Sequence, residues 1–139
     1  MSAPRKKKVG DDSRSTARER TVHFLYEAES RNIKVAEVIG AQVLGVDDAV
    51  VQLANAVEIN RQKTDELISE FSNSWTIERM PAIDRNVLRL AIYELIDRPE
   101  VPVAVVINEA VDLAKRFSTD ESGRYVNGVL SAIAKRVRP

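Results

Sequence analysis

Few side chains in this 139-residue sequence could do chemistry, and most of them have a plainer explanation. Glu109 and Asp112 lie three apart, as a metal pair or an acid–base pair would on one helix face. Lys115 and Arg116 follow one turn on, so ion pairs along the helix account for both carboxylates better. His23 is the sole histidine and there is no cysteine, so no zinc set can be completed and no disulfide or thiolate chemistry can occur. No glycine-rich phosphate loop follows a strand. Ser118-Thr119-Asp120-Glu121 fits a helix capping box. No catalytic, metal or cofactor site emerges, and the expectation is a protein that is not an enzyme. What remains is charge. Arg14 and Arg18 share a face near the expected start of a helix, where the macrodipole disfavours cations by a few tenths to about 1 kcal/mol. The pair either has another purpose or belongs to an exposed charged turn with Glu19 beside it. Residues 1–20 carry seven basic and three acidic side chains, a net +4, and the other 119 carry a net −4. A basic arm on a mildly acidic body favours a polyanion, although charge alone leaves a solvated tail open as well.

The elements that must position these groups are helical. Leu, Ala, Val, Ile, Glu and Arg fill most of the chain, only five glycines and five prolines interrupt it, and strand-like alternation is absent. The length suits one domain with a real core, and no apolar run approaches the ~20 residues of a membrane helix. The basic start Arg5-Lys6-Lys7-Lys8 has no apolar region behind it, so a secretory signal is not expected and a soluble cytoplasmic protein is. Residues 1–12 read as a disordered basic tail and 13–139 as the folded domain. With Asp11, Asp12 or Ser13 as cap, a first helix is predicted over roughly Arg14 to Ser30. Asn32 to Gly45 predicts a second, with Val35, Val38, Ile39 and Val43 inward. Asp47 can cap a long third helix reaching about Ser72, whose apolar stripe breaks at Asn60-Arg61 in a kink or a solvated middle. A turn from Trp75 to Met80 is closed by Pro81. Ile83 to Ile96 is then apolar on nearly every side, the pattern of a central helix surrounded by others. Pro102 suits the first turn of a helix through Phe117, and Val126, Val129, Leu130, Ile133 and Val137 mark the last helix. The short polar link over 118–123 forces these two to pack as a hairpin. The link and the first turn after it are the best candidates for a working surface.

Several segments resemble the NusB family of bacterial transcription antitermination factors. They are Trp75-Thr76 with Pro81-Ala82-Ile83-Asp84-Arg85, Leu88-Arg89-Leu90-Ala91-Ile92-Tyr93-Glu94-Leu95, Val101-Pro102, Ile107-Asn108-Glu109-Ala110-Val111-Asp112-Leu113-Ala114-Lys115 and Tyr125-Val126-Asn127-Gly128-Val129-Leu130. Ala17-Arg18-Glu19 and Leu25-Tyr26-Glu27 extend the likeness into the first helix, so that it spans about Arg14 to Arg138. The resemblance implies an all-α fold of about seven helices in two packed sub-bundles. It also implies binding to the single-stranded boxA element of nascent RNA together with NusE, a small-subunit ribosomal protein. NusA and NusG on RNA polymerase complete the set of partners, and the outcome is processive transcription, chiefly of ribosomal RNA operons. A homodimer stays open. No cofactor, metal or membrane is implied.

Carried over by position, the family's arginine-rich first turn falls on Arg14 and Arg18, with Ser15 and Thr16 where many members are basic. Its acidic position before the last helix falls on Glu121, followed by Ser122. Its aromatic before Val-Asn-Gly is Tyr125, and Asp84 with Arg85 map near the protein partner. These positions suit RNA, whose splayed bases are stacked on aromatics and bonded at their edges. At 100° per residue Tyr125 lies just outside the buried stripe, on a flank with Glu121, Gly128 and Ala132. Its ring is thus expected to be a contact surface, with Arg124 or Arg136 reaching phosphate. The contrary expectation is a ring packed inward with only its hydroxyl in water. Two other readings compete with the antitermination factor. One is a helical protein–protein adaptor with incidental RNA affinity. The other is a fragment related to RNA cytosine methyltransferases, disfavoured because the cysteine nucleophile and a cofactor domain are missing.

Overall fold

A computed structural model describes residues 9–73 and 75–139, with side chains from residue 13 onward. Its seven helices are α1 (Val9–Arg31), α2 (Val35–Gly40), α3 (Asp48–Ile59), α4 (Arg61–Phe71), α5 (Ala82–Asp97), α6 (Val103–Phe117) and α7 (Asp120–Val137). Helices α1 to α3 pack on one another as one sub-bundle, α4 to α7 as a second, and α5 touches members of both. The expected two-bundle, all-α architecture is therefore the one the chain adopts. The central position of α5 follows from its composition. Every residue from Asn86 to Leu95 is buried, and the apolar ones join Leu25, Val57, Ile68, Leu113 and Leu130 in a single core.

Several boundaries differ from the sequence-based ones. Helix α1 begins at Val9, so residues 9–12, expected in the tail, are helical, while residues 1–8 lie outside the described residues. The proposed caps Asp11, Asp12 and Ser13 are thus inside the helix, and Arg14 and Arg18 are well past its first turn. The dipole penalty invoked for Arg18 does not apply there, since that effect fades within one turn. At the other end Asn32 takes a left-handed conformation (φ 54°). The amides of Ile33 and Asn32 donate back to Ala28 and Glu29, a Schellman-type stop that asparagine tolerates better than most residues. Helix α2 stops at Gly40, not Gly45, and Val43, instead of facing inward, is 100% exposed, with Leu44 beside it at 82%. The expected stripe was continued through a glycine, which has no helix preference to sustain it. The predicted long third helix is two. Asn60 sits between them near φ −91°, ψ 8°, with its side-chain Nδ2 donating to the Ala56 carbonyl at 2.7 Å.

Helix α5 ends under an unusual lid. Arg138, just beyond α7, donates from Nε to Leu95 O (2.8 Å), from Nη1 to Val101 O (2.5 Å), and from Nη2 to Arg98 O (2.7 Å) and Glu94 O (3.2 Å). One guanidinium thus gathers four carbonyls from a helix C-terminus and the loop that follows it, where a cation is favoured. Arg138→Ala is expected to cost about 2 kcal/mol, because hydrogen bonds to a charged group are lost while water reaches part of the site. Urea denaturation of the two proteins would show it as a lower midpoint with an unchanged slope.

Candidate nucleic-acid interface

The start of α7 is held by a chain of hydroxyls. Thr119 caps the helix, its Oγ1 accepting from the Ser122 amide at 2.9 Å. The cap is one residue later than the box read from the sequence, so Ser122, not Glu121, is the residue that reaches back. Ser122 Oγ accepts from Thr119 Oγ1 (3.0 Å) and donates to Asp84 Oδ2 (2.6 Å) in the first turn of α5. Asp84 is fully buried, and its Oδ1 has no protein partner among the described residues. The first turn of α5 is a favourable place for a carboxylate. Two helix N-termini are thus pinned together through one aspartate.

Behind the two helices, Gly123 lets α6 and α7 close up. A methyl group there would meet Lys115 Cγ at 2.6 Å, whereas at Gly128 it would meet nothing within 4 Å. Space for a ligand therefore exists one turn after Tyr125, while the face of α7 at Gly123 is closed against α6.

Tyr125 itself answers neither sequence expectation in full. The ring is half-buried, packed at the edge of the core, and it contacts Trp75 with centroids 4.7 Å apart and planes at 48°. The hydroxyl leans on the Ser72 carbonyl at 3.5 Å. Burial pushes the phenol pKa up, the bond to Ser72 opposes this and the Asp84 carboxylate adds to it, so the group stays neutral. Glu121 and Arg124 on the same helix are exposed. Arg136 is exposed too, but Nη2 donates to Glu70 at 2.7 Å and the guanidinium lies over Phe71.

Other expected contacts are placed differently. Arg14 is exposed. Arg18, expected beside it on the surface, is buried, and its Nε and Nη2 grip both Glu94 oxygens at 2.9 to 3.2 Å. Its Nη1 reaches Glu109 at 3.3 Å, and Ser15 also donates to that carboxylate. Burial works against the Arg18 charge, but Glu94 and then Glu109 outweigh it and hold the pKa above its ordinary value. Arg18 is therefore an internal tie. Glu109 serves α1, not Lys115, while Asp112 does make the expected pair with Arg116 at 2.9 Å. Asp84 is likewise too deep to meet a partner directly. Arg85, mapped with it to the partner side, is bound to Glu29 (2.7 Å) and to the Met80 carbonyl (2.6 Å). Among the described residues no cluster of His, Cys, Asp and Glu could hold a metal, and no helix is long and apolar enough to cross a membrane.

Residues 15–135 match the sequence pattern of the NusB family. The transcription antitermination protein NusB of Saccharopolyspora erythraea is 47% identical over 128 residues, covering 88% of this chain and 86% of that one. This chain belongs to the NusB family. The family is one of transcription antitermination factors and not of enzymes. Among solved structures, T. maritima NusB superposes with a TM-score of 0.81 at 31% identity, covering 100% of this chain and 96% of that one. A crystal structure of antitermination factors NusB and NusE in complex with double-stranded RNA gives a TM-score of 0.75 at 29% identity, covering 88% and 96%. The NusB-like elements quoted from the sequence are the ones that meet here: Pro81–Arg85 opens α5, Ile107–Lys115 forms α6, and Tyr125–Leu130 lines the start of α7. Sequence reasoning left Trp75 in its turn without a role. Its contact with Tyr125 crosses fifty residues, and no local pattern signals it.

Proposed function

We propose that this chain is an antitermination factor that binds the single-stranded boxA element of nascent RNA together with NusE. With NusA and NusG it helps assemble a processive RNA polymerase in the bacterial cytoplasm, chiefly on ribosomal RNA operons. The observation that carries the reading is the surface at the start of α7. There the half-exposed Tyr125 ring, with open space at Gly128 and with Glu121 and Arg124 exposed on the same helix, stands on a clamped helix start in a NusB-family chain. A ring of this kind stacks a base, a carboxylate accepts from a base amino group, and an arginine pairs with phosphate. Arg14 adds affinity through phosphate, while Arg18, Ser122 and Asp84 act by holding the contact residues in place.

Filter binding of a boxA oligoribonucleotide tests this, with a duplex of the same sequence as the comparison. Tyr125→Ala is expected to lose ~1–3 kcal/mol of affinity, while Tyr125→Phe keeps it. A drop in melting temperature for Tyr125→Ala with unchanged affinity of the folded protein would remove the stacking role. Binding should weaken with salt at a log–log slope of about −0.7 per neutralised phosphate, and Arg14→Ala should flatten it by roughly that amount. A protein that retains NusE but holds neither RNA would instead be a helical adaptor.

A further inference from the structure

We propose that Trp75 is a second RNA contact, extending the Tyr125 ring into a two-ring surface on which a single-stranded base stacks. The inference rests on the RNA-binding reading above and adds to it a residue and a polar contact. Three observations carry it. The rings touch, with centroids 4.7 Å apart and planes at 48°, and both are half-buried, so together they present one continuous aromatic surface. The turn that bears Trp75 is braced: Ser72 Oγ donates to the Trp75 carbonyl at 2.7 Å, the Trp75 amide donates back to Ser72 O at 3.2 Å, and Asn73 takes a left-handed conformation (φ 48°). A braced ring loses little freedom when a base lies on it, which favours binding.

The third observation separates the two rings. The Tyr125 hydroxyl is turned toward Ser72, so that residue offers chiefly a face. The Trp75 indole N–H donates to no acceptor among the described residues. Trp75 is half-buried, so its ring keeps an open side. Indole N–H is a donor only. It therefore selects an acceptor on the bound nucleotide, a base carbonyl or a phosphate oxygen, beside the ring that stacks. Gly128 leaves the neighbouring turn of α7 free of side chain.

Trp75 is the only tryptophan of the chain, so its emission reports on this surface alone. A boxA oligoribonucleotide is titrated into the unaltered protein while tryptophan fluorescence and filter binding are followed together. Emission should fall and saturate with the binding curve. Trp75→Ala should weaken binding between about fivefold and a hundredfold. Trp75→Phe, which keeps a ring and loses the N–H, should fall between Trp75→Ala and the parent, and circular dichroism melts should show that it folds. RNA retained on the filter with constant emission overturns the proposal and leaves the antitermination reading intact. Parental affinity in a folded Trp75→Ala protein overturns it as well. Failure of the parent to retain RNA at all brings down the underlying reading and this one with it.

Discussion

Arg18→Ala is expected to destabilise the fold by about 3–5 kcal/mol, the cost of leaving one buried charge without its partner. The guanidinium is 5% exposed and Glu94, which it grips with two nitrogens, is 6% exposed. Removing the arginine strands that carboxylate beneath α1. Glu109 is less affected, since it reaches water and keeps Ser15. The double variant Arg18→Met with Glu94→Leu should recover much of the loss, because an apolar pair of similar volume often replaces a buried ion pair at little cost. Thermal and urea melts of the three proteins would measure this. The double variant should also bind boxA RNA like the parent. A stable double variant with greatly reduced RNA affinity would return Arg18 to the contact surface.

Arg89→Ala is expected to have an effect of similar size at the other end of the α1–α5 contact. Arg89 is buried, its Nη1 donating to Glu29 at 2.7 Å and its Nε and Nη2 to Asp65 at 2.7 and 3.0 Å. Arg85 approaches Glu29 from the other side. Burial alone would raise the Glu29 pKa, but the bonds from Arg85 and Arg89 outweigh it and hold the carboxyl at about 2. A depressed carboxylate stabilises the fold fully above its ordinary value, near 4.5, and the contribution disappears as pH falls toward 2. The parent should therefore lose on the order of 3 kcal/mol across that window from this group. In Arg89→Ala, with one cation gone, the acid loss should be smaller and should begin from a lower plateau. Urea midpoints between pH 2 and 6 for both proteins test it. Parallel curves would show that Arg89 does not set the Glu29 charge.

What the sequence made legible was whatever depends on neighbours along the chain. The all-round apolar run of α5, the hairpin of α6 and α7, and the break at Asn60 all follow from spacing. The exposure of Val43 was misread because an apolar residue beyond a glycine keeps its hydropathy even where the helix has ended. Arg18 was misread for a different reason. Its partners Glu94 and Glu109 lie in α5 and α6, more than seventy residues on, and a lone arginine on a helix looks solvent-facing until the helix that covers it is in place. The same distance hid the ring pair of Trp75 and Tyr125. The surface flank of Tyr125, in contrast, could be read from its angle on α7.

The two ionic knots have a joint consequence. Arg18 with Glu94 and Glu29 with Arg85 and Arg89 tie antiparallel α1 to α5 about three helical turns apart. Sliding α1 by a single turn would strand buried charges at both places at once, so the alignment of the helices has one acceptable register. A hinge between the sub-bundles would have to break the same bonds. The molecule therefore behaves as a rigid jig. On the proposed function, a frame held in one register leaves any cooperation between RNA and protein to the contacts those two make with each other.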